Sequence, residues 1–387
     1  MASRLLPVIA AMFLSVASGC ASSAEEPASD ESEGALMSPK SFDFNPASSK
    51  ERVGEVELAN AYWAARFADM AYQLDTEAQV RDALGALGIE TTEIVAFHSK
   101  KSANLLQTRG TTGTDGFYVR TKAAGFLAFR GSEDGKVDDV VSDIRFIQLN
   151  AGPDANNAGD GEVHAGFYNS VQAVWDTLEP ILKARHGDGK LPLYLIGHSL
   201  GGGLATIAAH HLLFDGCLTN ALRHVDVLSI CEKDFIPVKA VYTFGAPRVG
   251  NEEFTTRLSV RMRDTHTKYF RFVNEGDEVS MLPRYSPAAI VSPYRHVGDK
   301  GEERSFAILL DRKGAMFARP DGRCAQNPQL VQCDNTIWGL VDNATNKKPP
   351  WKIEHSRRLY IEKLRALVTG TAATELDKIR SEVSGAP

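Results

Sequence analysis

Several features are scarce or missing in this sequence of 387 residues, and each absence narrows the range of functions. Beyond the first 20 residues there is no apolar run long enough to cross a bilayer, so no transmembrane helix is predicted there. There is no run of lysine or arginine and the net charge is −6, so we expect no nucleic-acid partner. Neither a Cys-x-x-Cys pair nor a tight histidine cluster occurs, so we expect no bound metal.

What the sequence does contain is the composition of a globular protein behind an export signal. It is 43% hydrophobic and 24% charged, which is typical of folded chains and sufficient for a large core. The apolar residues 5–19 follow Arg4 and are too few to span a bilayer comfortably, as in a secretory signal peptide. Small residues precede Cys20 and resemble a bacterial lipobox, which predicts a signal peptide over residues 1–20 and a lipid on Cys20.

This lipid would anchor an exported protein to a membrane. In a bacterium with an inner and an outer membrane, we expect it to be the outer membrane. The alternative is an ordinary cleaved signal peptide and a secreted protein. Residues 21–50 are rich in Ser, Ala, Glu, Asp and Pro and have too few large apolar residues to fold, so we expect a flexible acidic tether. The remainder, residues 51–387, is expected to form a single domain with insertions near residues 211–237 and 312–350.

Four cysteines follow Cys20 in the chain: Cys217, Cys231, Cys324 and Cys333. An even number in an exported protein suggests two disulfide bonds, with sequence neighbours paired in the simplest of three possible connectivities. The alternative is four buried free thiols, against which the polar neighbours of the last two cysteines argue.

The feature with the strongest chemical implication is the segment Gly-His-Ser-Leu-Gly-Gly-Gly at residues 197–203. The apolar residues 191–196 before it predict a buried strand, and the small and apolar residues after it predict a helix. At such a corner the serine side chain is pushed clear of the sheet, and glycine is needed two residues before and after it. The pattern predicts a nucleophile elbow with Ser199 as the nucleophile. The alternative is a glycine-rich turn that merely contains a serine.

Predicted strands and helices alternate along the domain. The expected strands are residues 93–97, 117–121, 125–130, 191–196, 238–244 and 268–273, and the clearest helices are residues 56–74, 171–182 and 355–364. Such alternation predicts an α/β fold with a mostly parallel sheet and helices on both faces. The active site of such a sheet lies beyond the carboxyl ends of its strands, which is where Ser199 is expected.

A nucleophilic serine needs a base, and the base needs an acid that fixes its tautomer. In this fold the acid and then the base follow the serine along the chain. The loop after the last predicted strand offers Asp277, with Glu275 and Glu278 as rivals. Two histidines follow: His355 opens a predicted helix and could reach back over the sheet, whereas we interpret His296 as structural.

The reaction of a serine with an ester also requires donors for the oxyanion that forms. The backbone N–H of Leu200, directly after the predicted nucleophile, is the first candidate. Ser132 ends the predicted strand 125–130 and offers both an N–H and a hydroxyl. The alternative for Ser132 is a plain turn at the end of a strand.

Six segments of the chain, in order, resemble the class 3 lipases, which are fungal-lipase-like α/β-hydrolases, over about residues 55–370. They are residues 129–132 (Phe-Arg-Gly-Ser), 163–167 (Val-His-Ala-Gly-Phe), 197–202, 244–251 (Phe-Gly-Ala-Pro-Arg-Val-Gly-Asn), 273–283 and 355–364. The resemblance implies an α/β-hydrolase fold and no cofactor. It also implies Ser199 as nucleophile, Asp277 as acid and His355 as base. In the same way it implies an oxyanion hole made by Ser132 and Leu200, and it marks His296 as non-catalytic.

The predicted function is that of a serine ester hydrolase acting on lipid or short-chain acyl esters. A phospholipase A1 and a polysaccharide acyl esterase are alternatives within this chemistry, and a catalytically silent surface binding protein on the same scaffold is the alternative outside it. Where the family usually carries an apolar lid, residues 133–143 are strongly acidic and contain no aromatic residue. We therefore expect no sharp activation at a lipid surface. The oligomeric state is not predicted.

Overall fold

The computed structural model describes residues 58–99, 114–132, 148–150, 161–187, 189–214, 236–283, 294–298, 304–319, 351–369 and 375–384. The predicted signal peptide, Cys20, the tether, the acidic segment 133–143 and the four further cysteines all lie outside the described residues. None of the described helices combines the length and the apolar character that a membrane span requires.

The described chain contains twelve strands and eight α-helices. The strands are β1 (Glu93–His98), β2 (Asp115–Arg120), β3 (Gly125–Phe129), β4 (Gln148–Asn150), β5 (Glu162–His164), β6 (Leu193–His198), β7 (Val238–Phe244), β8 (Gly250–Asn251), β9 (Lys268–Asn274), β10 (Tyr294–Arg295), β11 (Ser305–Leu310) and β12 (Met316–Arg319). The helices are α1 (Leu58–Gln73), α2 (Glu77–Ala86), α3 (Ala165–His186), α4 (Leu200–Phe214), α5 (Glu252–Asp264), α6 (Trp351–Glu354), α7 (Arg357–Thr369) and α8 (Leu376–Ser384).

Eight strands form the main sheet in the order β1-β2-β3-β6-β7-β9-β11-β12. The five central strands from β3 to β11 are parallel, while β1, β2 and β12 add antiparallel pairs at the two edges. The carboxyl ends of the parallel strands therefore meet along one edge of the sheet. The predicted mostly parallel sheet of an α/β-hydrolase is confirmed.

Both faces of the sheet are covered, because successive residues of a strand point to opposite sides. In β3, Phe126 and Ala128 belong to the core cluster formed with α1 and α7. Leu127 and Phe129 belong to the cluster formed with α3, α4 and α5. Burial on both faces explains why the central strands are continuous apolar runs rather than alternating ones.

A second sheet is small and antiparallel, with the order β10-β8-β5-β4. It brings together two segments of the family resemblance, since Val163 of β5 pairs with Gly250 of β8. The sequence analysis did not predict this sheet. Its strands are two or three residues long, too short to produce a periodic pattern.

Two helix boundaries differ from the prediction. Helix α3 begins at Ala165, six residues before the predicted start, because the Nδ1 atom of His164 accepts hydrogen bonds from the N–H groups of Gly166 and Phe167. A histidine in this capping role has no simple sequence signature. The helix predicted from residue 355 begins instead at Arg357, and the preceding residues form the short helix α6. His355 therefore lies in the junction between two helices.

Candidate active site

Ser199 occupies the corner between β6 and α4. Its φ angle is 57°, in the left-handed region that side chains other than glycine rarely adopt. Two hydrogen bonds hold this conformation: the N–H of Ser199 donates to the carbonyl of Phe244 over 2.9 Å, and the N–H of Gly202 donates to the carbonyl of Ser199 over 3.0 Å. The backbone at Ser199 is therefore strained and fixed, as expected for a nucleophile elbow.

The glycines on either side of Ser199 are required by close backbone contacts. A Cβ atom on Gly197 would overlap the carbonyl group of Gly201, and one on Gly201 would overlap the carbonyl oxygen of Phe129. These neighbours are backbone atoms, which cannot move aside without displacing the sheet. The turn consequently accepts no side chain at either position.

Asp277 lies in the loop after β9 and is fully buried. Its Oδ1 accepts a hydrogen bond from the N–H of Val279 over 3.0 Å, and its Oδ2 accepts one from the hydroxyl of Tyr360 over 2.7 Å. Both carboxylate oxygens are thus held by donors. Of its two rivals in the loop, Glu275 accepts a hydrogen bond from the N–H of Arg312, and neither Glu275 nor Glu278 contacts His355.

His355 lies against Asp277. Its Nδ1 is 3.0 Å from Oδ1 and 2.9 Å from Oδ2 of that carboxylate. Because a carboxylate can only accept, Nδ1 carries a proton, and Nε2 is the nitrogen that can act as the base. This Nε2 is buried and has no hydrogen-bond partner in the described part of the chain. The ring is therefore oriented, with one basic nitrogen left available.

His198, the residue before the predicted nucleophile, ties the elbow to His355. The two imidazole rings are 4.6 Å apart, and Nε2 of His198 donates to the carbonyl oxygen of His355 over 2.8 Å. Burial, with the charge of Arg357 contributing, holds the pKa of His198 well below its usual value. The ring is consequently neutral, and its Nδ1 accepts a hydrogen bond from the hydroxyl of Tyr72 over 2.9 Å.

The two predicted oxyanion donors lie at neighbouring strand ends. Leu200 is the first residue of α4, so its N–H has no acceptor within the helix. Ser132 follows β3, the strand that pairs with β6, and its buried hydroxyl has no hydrogen-bond partner among the described residues. A Cβ atom on Gly131 would lie 2.6 Å from the carbonyl oxygen of His198, which shows how closely this loop approaches the elbow.

His296 lies apart from this arrangement. It follows β10, and its buried Nε2 donates to the carbonyl oxygen of Ser280, three residues beyond Asp277. Burial is the largest cause that holds the pKa of His296 well below its usual value, so this side chain is a neutral support for the acid loop.

The sequence analysis missed Tyr72, His198 and Tyr360 as parts of the site. His198 could have been found from its position directly before Ser199 in the elbow motif. It ends a strand, so its side chain points to the face of the sheet opposite that of the residue before it. The two tyrosines carried no such signal, because they are distant in sequence from the groups that they contact. Among the described residues there is no group of three His, Cys, Asp or Glu side chains that could hold a metal ion.

A comparison with known protein families finds a match to part of the chain. Residues 126–286, which include Ser132, Ser199 and Asp277, match the family model named Lipase (class 3). The matched part of the chain is that of a class 3 lipase. It is therefore an ester hydrolase of the lipase type, in agreement with the sequence analysis.

Curated relatives of the chain differ in their named activity. The secreted mono- and diacylglycerol lipase A of Penicillium cyclopium is 28% identical over 240 residues, which cover 60% of this chain and 67% of the relative. Phospholipase A1-II 2 of Oryza sativa subsp. indica is 27% identical over 222 residues, which cover 53% of this chain and 49% of that protein. Among solved structures, the LIP2 lipase of Yarrowia lipolytica aligns at a TM-score of 0.46 and 19% identity, covering 78% of this chain and 93% of its own.

Proposed function

We propose that this lipase hydrolyses carboxylic esters of glycerolipids through a covalent acyl-enzyme on Ser199. The observation that carries the proposal is the Asp277–His355 hydrogen bond, which leaves Nε2 of His355 unpaired on a ring that packs 4.6 Å from that of His198, the residue before Ser199. This combination of nucleophile, oriented base and buried acid supports acyl transfer, because a serine hydroxyl reacts only when a base takes its proton.

In the first half of the reaction, the Oγ of Ser199 attacks the ester carbonyl carbon while Nε2 of His355 takes the hydroxyl proton. The electron pair of the carbonyl bond moves to its oxygen, and the N–H of Leu200 with the N–H and hydroxyl of Ser132 would stabilise this oxyanion. When the carbonyl bond re-forms, the bond to the alcohol breaks. The departing alcohol takes the proton from His355, and the acyl group remains on Ser199.

In the second half a water molecule replaces the alcohol. His355 takes a proton from the water as it attacks the acyl carbon, and the same donors stabilise the second oxyanion. Collapse of this intermediate releases the fatty acid and returns the proton to Ser199. Asp277 stays ionised throughout and stabilises the imidazolium that forms twice in each turnover.

Glycerolipid substrates and export are supported by the relatives and by the amino terminus. Mono- and diacylglycerol lipase and phospholipase A1 are the activities named for two relatives, and one of these is a secreted protein. We therefore propose that the chain is exported, with Cys20 as the site of a lipid anchor. Parallel assays with diacylglycerol and with phosphatidylcholine separate the two candidate substrates, since phospholipase activity releases fatty acid from the latter.

The direct test of the mechanism compares two serine-to-alanine variants. Ser199→Ala should abolish hydrolysis of p-nitrophenyl esters while the protein remains folded, because the members of such a triad act as a unit. Ser259→Ala is the matched control, since Ser259 is a fully buried serine on α5 whose hydroxyl has no described partner. Turnover by folded Ser199→Ala at the rate of the Ser259→Ala protein would contradict the proposal.

A further inference from the structure

The residue before His355 belongs to a cluster of buried charged side chains. Glu354, the last residue of α6, directly precedes His355 and is almost completely buried. Two cations bind its carboxylate: Nζ of Lys363 lies 3.3 Å from Oε2, and Nε of Arg380 lies 2.9 Å from Oε1. The side chain of Lys363 is itself 0% exposed.

The same cluster reaches the loop that carries Asp277. Asn274, at the end of β9, donates from Nδ2 to the carbonyl oxygen of Glu354 over 2.8 Å and accepts from Nζ of Lys363 over 3.1 Å. The backbone carbonyl of Asn274 accepts the N–H of Asp277 over 3.0 Å. One continuous set of hydrogen bonds therefore links the acid loop to the base segment, separately from the Asp277–His355 contact.

Arg380 brings the carboxy-terminal helix α8 into this cluster. Besides the bond to Glu354, its Nη2 donates to the carbonyl oxygen of Arg312 over 2.6 Å. On α8, Leu376 and Ile379 are buried against Leu359 of α7 in a small apolar cluster of their own. Helix α8 thus contributes Arg380, which reaches the residue before His355, and the apolar cluster with α7 holds the helix in place.

Stability alone is a weak reason for this arrangement. The free-energy cost of taking two charges out of water is about as large as the attraction between them. Apolar side chains of similar volume could therefore stabilise the fold as well. Burial lowers the pKa of Lys363, and the nearby Glu354 partly offsets this effect. What a buried, hydrogen-bonded ion pair does provide is a fixed geometry, here at the backbone on either side of the acid and base.

We propose that Glu354, held between Lys363 and Arg380, is a positioning residue that sets the placement of His355 relative to Asp277 and Ser199. Helix α8 supplies one of the two cations, Arg380. The inference rests on the proposed function, because it assigns a role to the cluster only if His355 is the base. It adds that residues near the carboxy terminus control the rate of the chemical step without touching the substrate.

The test compares two arginine substitutions that each break an ion pair of helix α8. Arg380→Gln breaks the pair with Glu354, whereas Arg358→Gln breaks the exposed pair that joins Arg358 of α7 to Glu382 of α8. Reactive sites are titrated to completion with a fluorophosphonate, and kcat per titrated site and KM are measured with a soluble short-chain ester. Melting temperatures are recorded for each variant, so that loss of folded protein is separated from loss of rate.

We expect kcat per titrated site to fall about tenfold to a hundredfold in Arg380→Gln, because small displacements of reacting groups cost rates of this size. KM should change by less than about twofold, since Glu354, Lys363 and Arg380 are placed behind His355 and do not bind the substrate. Arg380→Lys should recover part of the rate, and Arg358→Gln should match the parent protein. If Arg380→Gln does not fold, Glu354→Gln keeps the shape of the side chain and should show the same loss of kcat.

Unchanged kcat per titrated site in Arg380→Gln or Glu354→Gln, with only a lower melting temperature, would overturn the inference. An equal loss in Arg358→Gln would overturn it as well, because the effect would then follow from any loosening of α8. A parent protein that neither hydrolyses esters nor reacts with the fluorophosphonate would overturn the proposed function itself, and the inference with it.

Discussion

The hydroxyl of Tyr360 provides a sharp test of how the acid is held. It donates to Oδ2 of Asp277 over 2.7 Å and accepts the backbone N–H of Asn274 over 2.9 Å, all within the core. Burial, with the charge of Asp277 contributing, raises the pKa of Tyr360 well above its usual value, so the phenol remains a donor at every working pH. Tyr360→Phe removes both bonds and keeps the ring that packs against Phe244.

The expected loss of stability follows from these two bonds. A hydrogen bond to a charged acceptor contributes about 1.5–3 kcal/mol, and a buried N–H left without an acceptor costs about 1–3 kcal/mol. Because the two bonds share one oxygen, their effects do not add, and we expect a total of about 3 kcal/mol. At roughly 1.2 °C for each kcal/mol in a chain of this size, the melting temperature should fall by about 4 °C.

Activity should fall as well, because the carboxylate loses one of the donors that orient it toward His355. We expect kcat to decrease roughly tenfold, which corresponds to about 1.4 kcal/mol of transition-state stabilisation. Thermal unfolding and ester hydrolysis per titrated site measure the two effects separately.

Tyr118→Phe is the matched control. The hydroxyl of Tyr118 is also buried and bonds to Nε2 of His186 over 2.9 Å, but its partner is not one of the residues of the candidate site. The control should lose stability and keep its kcat. If Tyr360→Phe loses no more stability than Tyr118→Phe and also keeps its kcat, the argument about the acid is wrong.

Three further predictions concern the elbow, acid stability and the amino terminus. Gly201→Ala should abolish soluble folded protein, because its Cβ would overlap the carbonyl of Phe129, whereas Gly85→Ala, with nothing within 4 Å, should express normally. Burial lowers the pKa of His211 to about 4, so stability present above pH 6.5 should be lost as the pH falls toward 4 in urea titrations, and less so in His211→Gln. Mass spectrometry of the mature amino terminus should find lipid on Cys20, and an unmodified end would contradict the proposed anchor.

The strands that are buried on both faces of the sheet could be predicted from local sequence patterns. Strand β7 matches the predicted residues 238–244, and β6 lies within two residues of its predicted bounds, because both are apolar runs that end at glycine-containing turns. Strands β11 and β12 were missed. They are the last two strands on one side of the sheet, and only three of the six residues of β11 are buried, which gives a weaker signal.

The candidate site was predictable only as far as motifs reach. The elbow selected Ser199, and the order along the chain led to His355 and to an acid loop with three carboxylates, among which the family resemblance favoured Asp277. The structure places Asp277 and His355 in contact. The supporting groups could not be found in this way. Tyr72 reaches His198 across 126 positions and Tyr360 reaches Asp277 across 83, so their roles come from packing that no local pattern encodes.

The central claim is that Ser199 becomes acylated while His355 acts as its base. The most direct measurement treats the folded protein with a fluorophosphonate and locates the adduct by intact mass and peptide mapping. We predict one adduct per chain, on the peptide that contains Ser199, with no labelling of Ser199→Ala and much slower labelling of His355→Ala. An adduct on a different residue, or full labelling of folded Ser199→Ala, would contradict it.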